Sequence, residues 1–155
     1  MLFRLIIISC ILIGCSSTNN SDNVIYNKLS NIEIEANDTY ISDLIKKRVQ
    51  NNLIIYNNKQ ILKKKFKLIL NIKEDIEGSL LSNSIRKIEI STNFRIINNE
   101  NSQVVYKGSF ARNSLVPPID SLFSRDQSER NAKKRLGVSI ANDIVVRLIE
   151  WAQSS

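Results

Sequence analysis

The sequence predicts an α+β fold in which a four-stranded, mostly antiparallel sheet carries two helices on one face, in the order β-α-β-β-β-α. Four segments alternate apolar and polar residues with the period of two that is typical of half-buried strands. Two further segments repeat apolar residues at the spacing of an amphipathic helix. Since each helix has one apolar stripe and each strand one apolar face, a two-layer sandwich buries all of them.

The first strand and the first helix are adjacent in the chain. Ile32 and Ile34 alternate with glutamates, which indicates a short strand with one buried face. Asp38 or Thr39 then offers an N-cap for a helix. The apolar stripe of this helix consists of Ile41, Leu44, Ile45, Val49, Leu53 and Tyr56.

The next three strands should form an antiparallel meander. The apolar faces of the first two consist of Phe66, Leu68, Leu70 and Ile72, and of Ile88, Ile90, Thr92, Phe94 and Ile96. A polar stretch, NNENS, predicts a hairpin loop, after which Val104, Tyr106, Gly108 and Phe110 share a face.

The last quarter of the chain changes to a helical period. Pro117 and Pro118 prevent an earlier helix start. Gly137 costs about 1 kcal/mol relative to alanine in an exposed helix, so we expect it where the helix approaches the sheet closely. We expect Trp151 at the edge of the core, and we favour a core position for Leu80 and Leu81 over contact with lipid or a partner. The stripe comprises Ala132, Leu136, Ile140, Ile144 and Leu148.

The amino terminus predicts export. The apolar run from Leu5 to Ile13 has nine residues and follows Arg4, whereas a bilayer span needs about 20, so residues 1–14 indicate a secretory signal peptide. The segment Leu12-Ile13-Gly14-Cys15 resembles the lipobox of bacterial lipoproteins, which implies acylation of Cys15 and cleavage before it. The alternative is an ordinary signal peptide with Cys15 as a spare thiol.

The residues after Cys15 are polar, so we interpret 15–23 as a flexible tether and 24–155 as a single domain. By resemblance to the sorting rule of bacterial lipoproteins, Ser16 rather than aspartate at this position implies the outer membrane.

Composition excludes many enzyme mechanisms. The 155-residue chain has no histidine, which rules out imidazole proton shuttles, histidine-dependent nucleophiles and histidine-containing zinc sites. Its four glycines are too scattered for a phosphate-binding loop. We therefore expect no enzymatic activity, no cofactor and no metal. The net charge is +7, and an exported protein meets anionic glycolipid rather than nucleic acid.

Three segments carry a resemblance to a known family: the lipobox LIGC, the first helix ISDLIKKRVQNNL and the closing SLFSRDQSERNAKKRLGVSIANDIVVRLIEW. Together they resemble the LPS-assembly lipoprotein LptE, particularly its divergent alphaproteobacterial versions. The resemblance implies a non-catalytic, lipid-anchored subunit of the LPS translocon on the periplasmic side of the outer membrane. Such a subunit helps the LptD β-barrel to assemble, plugs its lumen and binds LPS. Many relatives continue after the cysteine with a GF-x-P type segment, whereas this chain has SSTNNSDN.

Basic residues predicted on the outward strand faces are the candidates for binding LPS phosphates. Arg86 and Lys87 are nominated first, because they lie at a strand end beside a loop, followed by Lys65 and Lys67; Lys73, Arg95 and Lys107 belong to the same outward set. The alternative for each is an ordinary solvated strand face. The alternative function is a periplasmic lipoprotein module that regulates cell-wall synthesis or serves an ABC-type lipid transporter.

Overall fold

The computed structural model describes residues 19–56, 64–78 and 84–154. The predicted signal peptide (residues 1–14), Cys15 and the pair Leu80 and Leu81 lie outside these residues. No helix in the described part is long and apolar enough to span a membrane. The elements are α1 (Asn19–Ser30), β1 (Ile32–Ala36), α2 (Tyr40–Leu53), a 3-10 turn (Ile54–Tyr56), β2 (Phe66–Glu77), β3 (Arg86–Asn98), β4 (Val104–Val116) and α3 (Leu122–Gln153).

The four strands form one mixed sheet in the order β1-β2-β3-β4. Strand β1 is parallel to β2, while β2, β3 and β4 form the expected antiparallel meander. The helix α2 supplies the crossover connection that two parallel neighbours require. The predicted α+β class and four-stranded sheet are confirmed.

The core lies between one face of the sheet and the helices. The stripe of α2 packs on β1 and β2, while α3 packs on β3, β4 and α2. Fully burying one isoleucine or leucine side chain contributes about 1.5–3 kcal/mol, so this interface dominates the stability of the domain. The predicted two-layer arrangement is confirmed by the buried side chains, which include Leu68, Leu70, Ile88, Ile90, Ile96, Ile140, Ile144 and Leu148.

An additional helix, α1, precedes β1 and extends from the predicted tether into the predicted domain. It begins at Asn19, inside the predicted tether 15–23, so residues 19–23 belong to a helix. Leu29 is buried in the core, and the Lys28 Nζ donates a hydrogen bond to the Ala152 carbonyl oxygen at 3.1 Å. The polar sequence of α1 has weak helix propensity, so these tertiary contacts explain a helix that periodicity did not reveal.

The start of α2 is fixed by side-chain hydrogen bonds. Thr39 is the N-cap, since the Ser42 backbone N–H donates to its Oγ1 at 3.2 Å. Just before it, the side-chain amide of Asn37 bonds both the N–H and the carbonyl of Ile72, at 2.9 and 3.0 Å. These bonds tie the end of β1 to β2 and set where the helix begins. The predicted N-cap region is confirmed.

Gly137 does sit at a close approach, but its neighbour differs from the predicted one. A Cβ added there would lie 2.8 Å from Leu44 Cδ2 and 3.6 Å from Ile45 Cγ1, both on α2. The prediction of a contact with the sheet was therefore wrong. The small residue instead lets the two helices pack against each other.

Gly108 lies in β4 directly opposite Phe94 of β3. The Phe94 ring covers it, so an added Cβ would come within 2.6 Å of ring atoms. The ring cannot move freely, because its centroid lies 5.7 Å from that of Phe110 and 6.0 Å from that of Tyr106. Glycine is required here by packing.

We expect the substitution Gly108→Ala to lower the free energy of unfolding by about 1–3 kcal/mol, the usual cost of overpacking a core. Urea denaturation measures this. Ser109→Ala, at an exposed neighbour, is the control and should change stability by less than about 0.5 kcal/mol. Equal stability of the two variants would show that the Phe94 ring yields easily.

Candidate functional site

The face of the sheet opposite the helices is open. Side chains on it alternate with the buried ones, and within the described residues every helix that contacts the sheet packs on the other face. Polar and charged residues dominate this open face. It is therefore a surface that the described part of the fold leaves available to a ligand or partner.

Part of the open face is concave. This concave region, which we call the outer groove, has a volume of about 820 Å³. It is lined by side chains from all four strands or their ends, among them Glu35, Ile69, Asn71, Asn93, Arg95, Lys107 and Ser109.

Two cations lie side by side in the outer groove. Arg95 on β3 and Lys107 on β4 are direct register partners, and the other cross-strand neighbour of Arg95 is the apolar Ile69. Neither cation forms an ion pair with any residue in the described segments. Like charges directly opposite each other destabilise a sheet, and a bound anion would remove that repulsion. The planar guanidinium can bind phosphate through two parallel hydrogen bonds.

The adjacent row of the outer groove is neutral and polar. Asn71 pairs in register with Asn93, and Asn93 pairs with Ser109. Amide and hydroxyl groups can both donate and accept hydrogen bonds, as sugar hydroxyls require. Together with Arg95 and Lys107 they suit a phosphorylated sugar better than a bare apolar ligand.

A β-bulge brings Arg95 and Lys107 together. Ile96 pairs with Tyr106 and Ile97 with Val104, so Val105 is an extra residue on β4. If the pairing continued from Ile97 and Val104 without a bulge, Arg95 would lie opposite Tyr106. The sequence placed both cations on the outward face, but nothing in it predicted the bulge that aligns them.

Arg86, the first nominated residue, is not on the open face. Its side chain is only about 6% exposed and forms an ion pair with Glu129 of α3, which is 8% exposed. Arg86 shares the face of Ile88 and Ile90 because strand side chains alternate, so its outward assignment was wrong. It holds β3 to α3 and is inaccessible to a ligand.

Each of the three nominated lysines has a carboxylate nearby. The Lys67 Nζ donates a hydrogen bond to Glu35 Oε1 at 2.6 Å, and this bond raises the pKa of Lys67. Lys65 lies 3.8 Å from Glu100. Lys67 is therefore paired within the sheet, whereas Lys65 has a carboxylate nearby in the β3–β4 hairpin turn.

Lys87 lies at the opposite end of the sheet from Lys65 and Lys67. Its Nζ is 3.2 Å from Glu89 and 3.7 Å from Glu77, and the hydrogen bond to Glu89 is the main reason that its pKa is raised. The structure therefore does not bring the nominated lysines together. The uncompensated pair Arg95 and Lys107 replaces them as the candidate anion site.

No protein-family model matches this sequence, and no curated protein matches it either. The fold, however, is similar to those of bacterial lipoproteins. A candidate lipoprotein from Caulobacter crescentus superposes with a TM-score of 0.68 at 16% identity, over 88% of this chain and 100% of that one.

Two other lipoproteins give lower scores. The minor lipoprotein of Acinetobacter baumannii has a TM-score of 0.57 at 11% identity, covering 77% of this chain and 90% of that one. Lipoprotein B of Nitrosomonas europaea has a TM-score of 0.56 at 10% identity, covering 79% and 84%. At these identities the likeness shows a shared fold.

The Arg86–Glu129 pair gives a stability prediction. Glu129→Gln leaves the buried Arg86 charge without its partner, so we expect the free energy of unfolding to fall by about 3–5 kcal/mol. The double variant Arg86→Met with Glu129→Leu should lose much less, because neither charge remains buried. Guanidinium denaturation measures both.

The control for this prediction is the surface pair of Arg112 and Asp143, 2.7 Å apart. Removing it with Arg112→Ala should cost no more than about 1 kcal/mol. If the single and double variants at 86 and 129 were equally unstable, the uncompensated charge would not be the cause.

Proposed function

We propose that this chain is a lipid-anchored, non-catalytic subunit of an outer-membrane LPS translocon. In this proposal it assists and plugs an LptD-like β-barrel from the periplasmic side and binds LPS phosphates at Arg95 and Lys107. The observation that carries the proposal is this pair of uncompensated cations in the outer groove of a fold that bacterial lipoproteins share.

Lipid anchoring is supported by the lipobox at Cys15 and by the names of the proteins with similar folds. Since α1 begins at Asn19, only residues 16–18 separate an acylated Cys15 from the folded domain. A fully extended chain rises at most about 3.6 Å per residue, so the start of α1 would lie within roughly 14 Å of the anchor. More than one acyl chain would make this attachment stable.

LPS binding is supported by the chemistry of the outer groove. Lipid A and core sugars carry phosphates beside hydroxyl groups. The two cations match the phosphates, and the neighbouring row of Asn71, Asn93 and Ser109 matches the hydroxyls. The remaining charges of the open face are largely paired, as for Lys67 with Glu35, so the attraction is focused on one place.

A barrel partner is supported by the shape and polarity of the domain together with the resemblance to LptE. The open face consists mainly of charged and amide side chains, which fit the wet interior of a large barrel. The core on the other side makes the domain rigid enough to serve as a plug.

A second candidate is a periplasmic lipoprotein module that binds phospholipid for an ABC-type transporter or regulates cell-wall synthesis. The same two cations favour it, because they would bind the phosphate of any anionic lipid. The ligand and the partner distinguish the two functions.

We expect the protein purified from native membranes in mild detergent to bring an LptD-like barrel with it. Mass spectrometry of the complex identifies the partner, and the intact mass shows whether Cys15 carries acyl chains. A chain that elutes alone, from cells that make the barrel normally, contradicts the translocon. Recovery of transporter or cell-wall proteins instead favours the second candidate.

We expect Arg95→Ala and Lys107→Ala each to weaken binding of purified LPS roughly tenfold or more, since a hydrogen bond to a charged group contributes about 1.5–3 kcal/mol. Isothermal titration measures the dissociation constants. Lys73→Ala is the matched control, because Lys73 is on the same open face beside Asp75 and outside the outer groove.

Dephosphorylated LPS should bind wild-type protein about as weakly as intact LPS binds the variants. Unchanged binding by both variants would remove Arg95 and Lys107 from the site. Equal affinity for phosphatidylglycerol vesicles and LPS would favour the phospholipid-binding alternative.

A further inference from the structure

The strand β4 forms a long free edge of the sheet. It runs for 13 residues, whereas β1 at the other edge has only five. Among the described residues, no segment pairs with the side of β4 that faces away from β3. A long unpaired edge is a template for the addition of another strand.

The hydrogen-bonding direction of each β4 residue follows from two backbone bonds. The Asn98 N–H donates to the Gln103 carbonyl at 2.9 Å, so even-numbered residues of β3 point towards β4. The Phe66 N–H donates to the Asn31 carbonyl at 3.0 Å, which gives the same alternation through β2.

The register then shows which backbone N–H and carbonyl groups of β4 point to β3 and which point to the free edge. Tyr106 pairs with Ile96 and Phe110 with Thr92, so the even residues of β4 bond to β3. The odd residues point their N–H and carbonyl groups to the free edge. These residues are Lys107, Ser109, Ala111, Asn113 and Leu115.

Proteins usually protect such an edge with prolines, bulges or charges. Here the bulge at Val105 and Pro117 flank the stretch from Lys107 to Leu115 without interrupting it. Within this stretch the only other charge is Arg112, which is on the helix side and pairs with Asp143. Lys107 alone faces outward, and β4 contains no carboxylate.

We propose that the edge from Lys107 to Leu115 receives an extended segment of a partner protein that places a carboxylate opposite Lys107. The sheet already compensates another lysine in this way, because Lys67 on β2 is flanked by Glu33 and Glu35 of the neighbouring β1. An added strand with an acidic residue at the corresponding position would repeat that arrangement on the other edge. The inference rests on the free edge of β4 and not on LPS binding. Since Lys107 also belongs to the proposed phosphate site in the outer groove, an acidic strand at this edge would compete with LPS for it.

A second copy of the chain fits the edge less well. Antiparallel self-pairing centred on Ala111 would place Lys107 opposite Leu115. The lysine would again have no carboxylate beside it. Charge complementarity therefore favours a different, acidic strand.

The test uses two nine-residue peptides of alternating valine and threonine, one with a central glutamate and one with a central lysine. Amide hydrogen exchange of the full mature chain is followed by NMR. The acidic peptide should slow exchange at Ser109, Ala111 and Asn113 and bind about two- to fivefold more tightly than the basic one. Lys107→Ala should abolish this preference.

The variant Ala111→Pro removes an N–H that points to the free edge, so it should leave the β3–β4 ladder and the fold intact. It should show no peptide-induced protection, whereas the matched Ala111→Val should behave like wild type. Circular dichroism and urea denaturation check folding, and Ser109→Pro replaces the variant if Ala111→Pro is unstable.

Three results would overturn the proposal. The first is no slowing of exchange with either peptide. The second is equal protection in the folded Ala111→Pro and Ala111→Val variants. The third is protection of the same amides that depends on protein concentration without peptide, which would identify a second copy as the occupant.

Discussion

The structure depends on the burial of a single face of the sheet. Both long helices and the short α1 pack on one side, and the buried apolar residues of every strand point towards them. Because the apolar burial that stabilises the domain occurs on that side, the other face does not depend on apolar side chains and can carry charge. The open face, its concave groove and the free edge of β4 all follow from this one-sided packing.

The burial of only one sheet face also separates basic residues that form part of the core from those that face solvent. Arg86 falls on the buried face and is matched by Glu129, since a buried charge must be paired. Arg95 and Lys107 lie on the open face, where solvent reduces the repulsion between two like charges. A one-residue difference in position along a strand therefore decides whether a basic residue is buried in an ion pair or faces solvent. In the proposed role, the core would position the groove while the amino-terminal lipid holds the domain near its glycolipid.

Periodicity predicted most of the fold, because the strands and the two long helices each have one clear apolar face. It placed Leu68, Ile90 and Ile144 in the core correctly. It did not reveal α1, whose helix depends on contacts of Leu29 and Lys28 with distant residues. The candidate site was predicted only in part: the outward set included Arg95 and Lys107, but their alignment depends on a bulge that leaves no mark in the residue pattern. Arg86 was misplaced although the alternation around Ile88 contained the information.

The most direct test of the central claim is site-specific photo-crosslinking in growing cells. A photoreactive amino acid replaces Asn93, which lines the outer groove, or Asp75, which is on the same open face but outside it. The account predicts a covalent adduct with LPS from position 93 and little or none from position 75. Equal adducts from both positions, or adducts only from position 75, would contradict an LPS site in the outer groove.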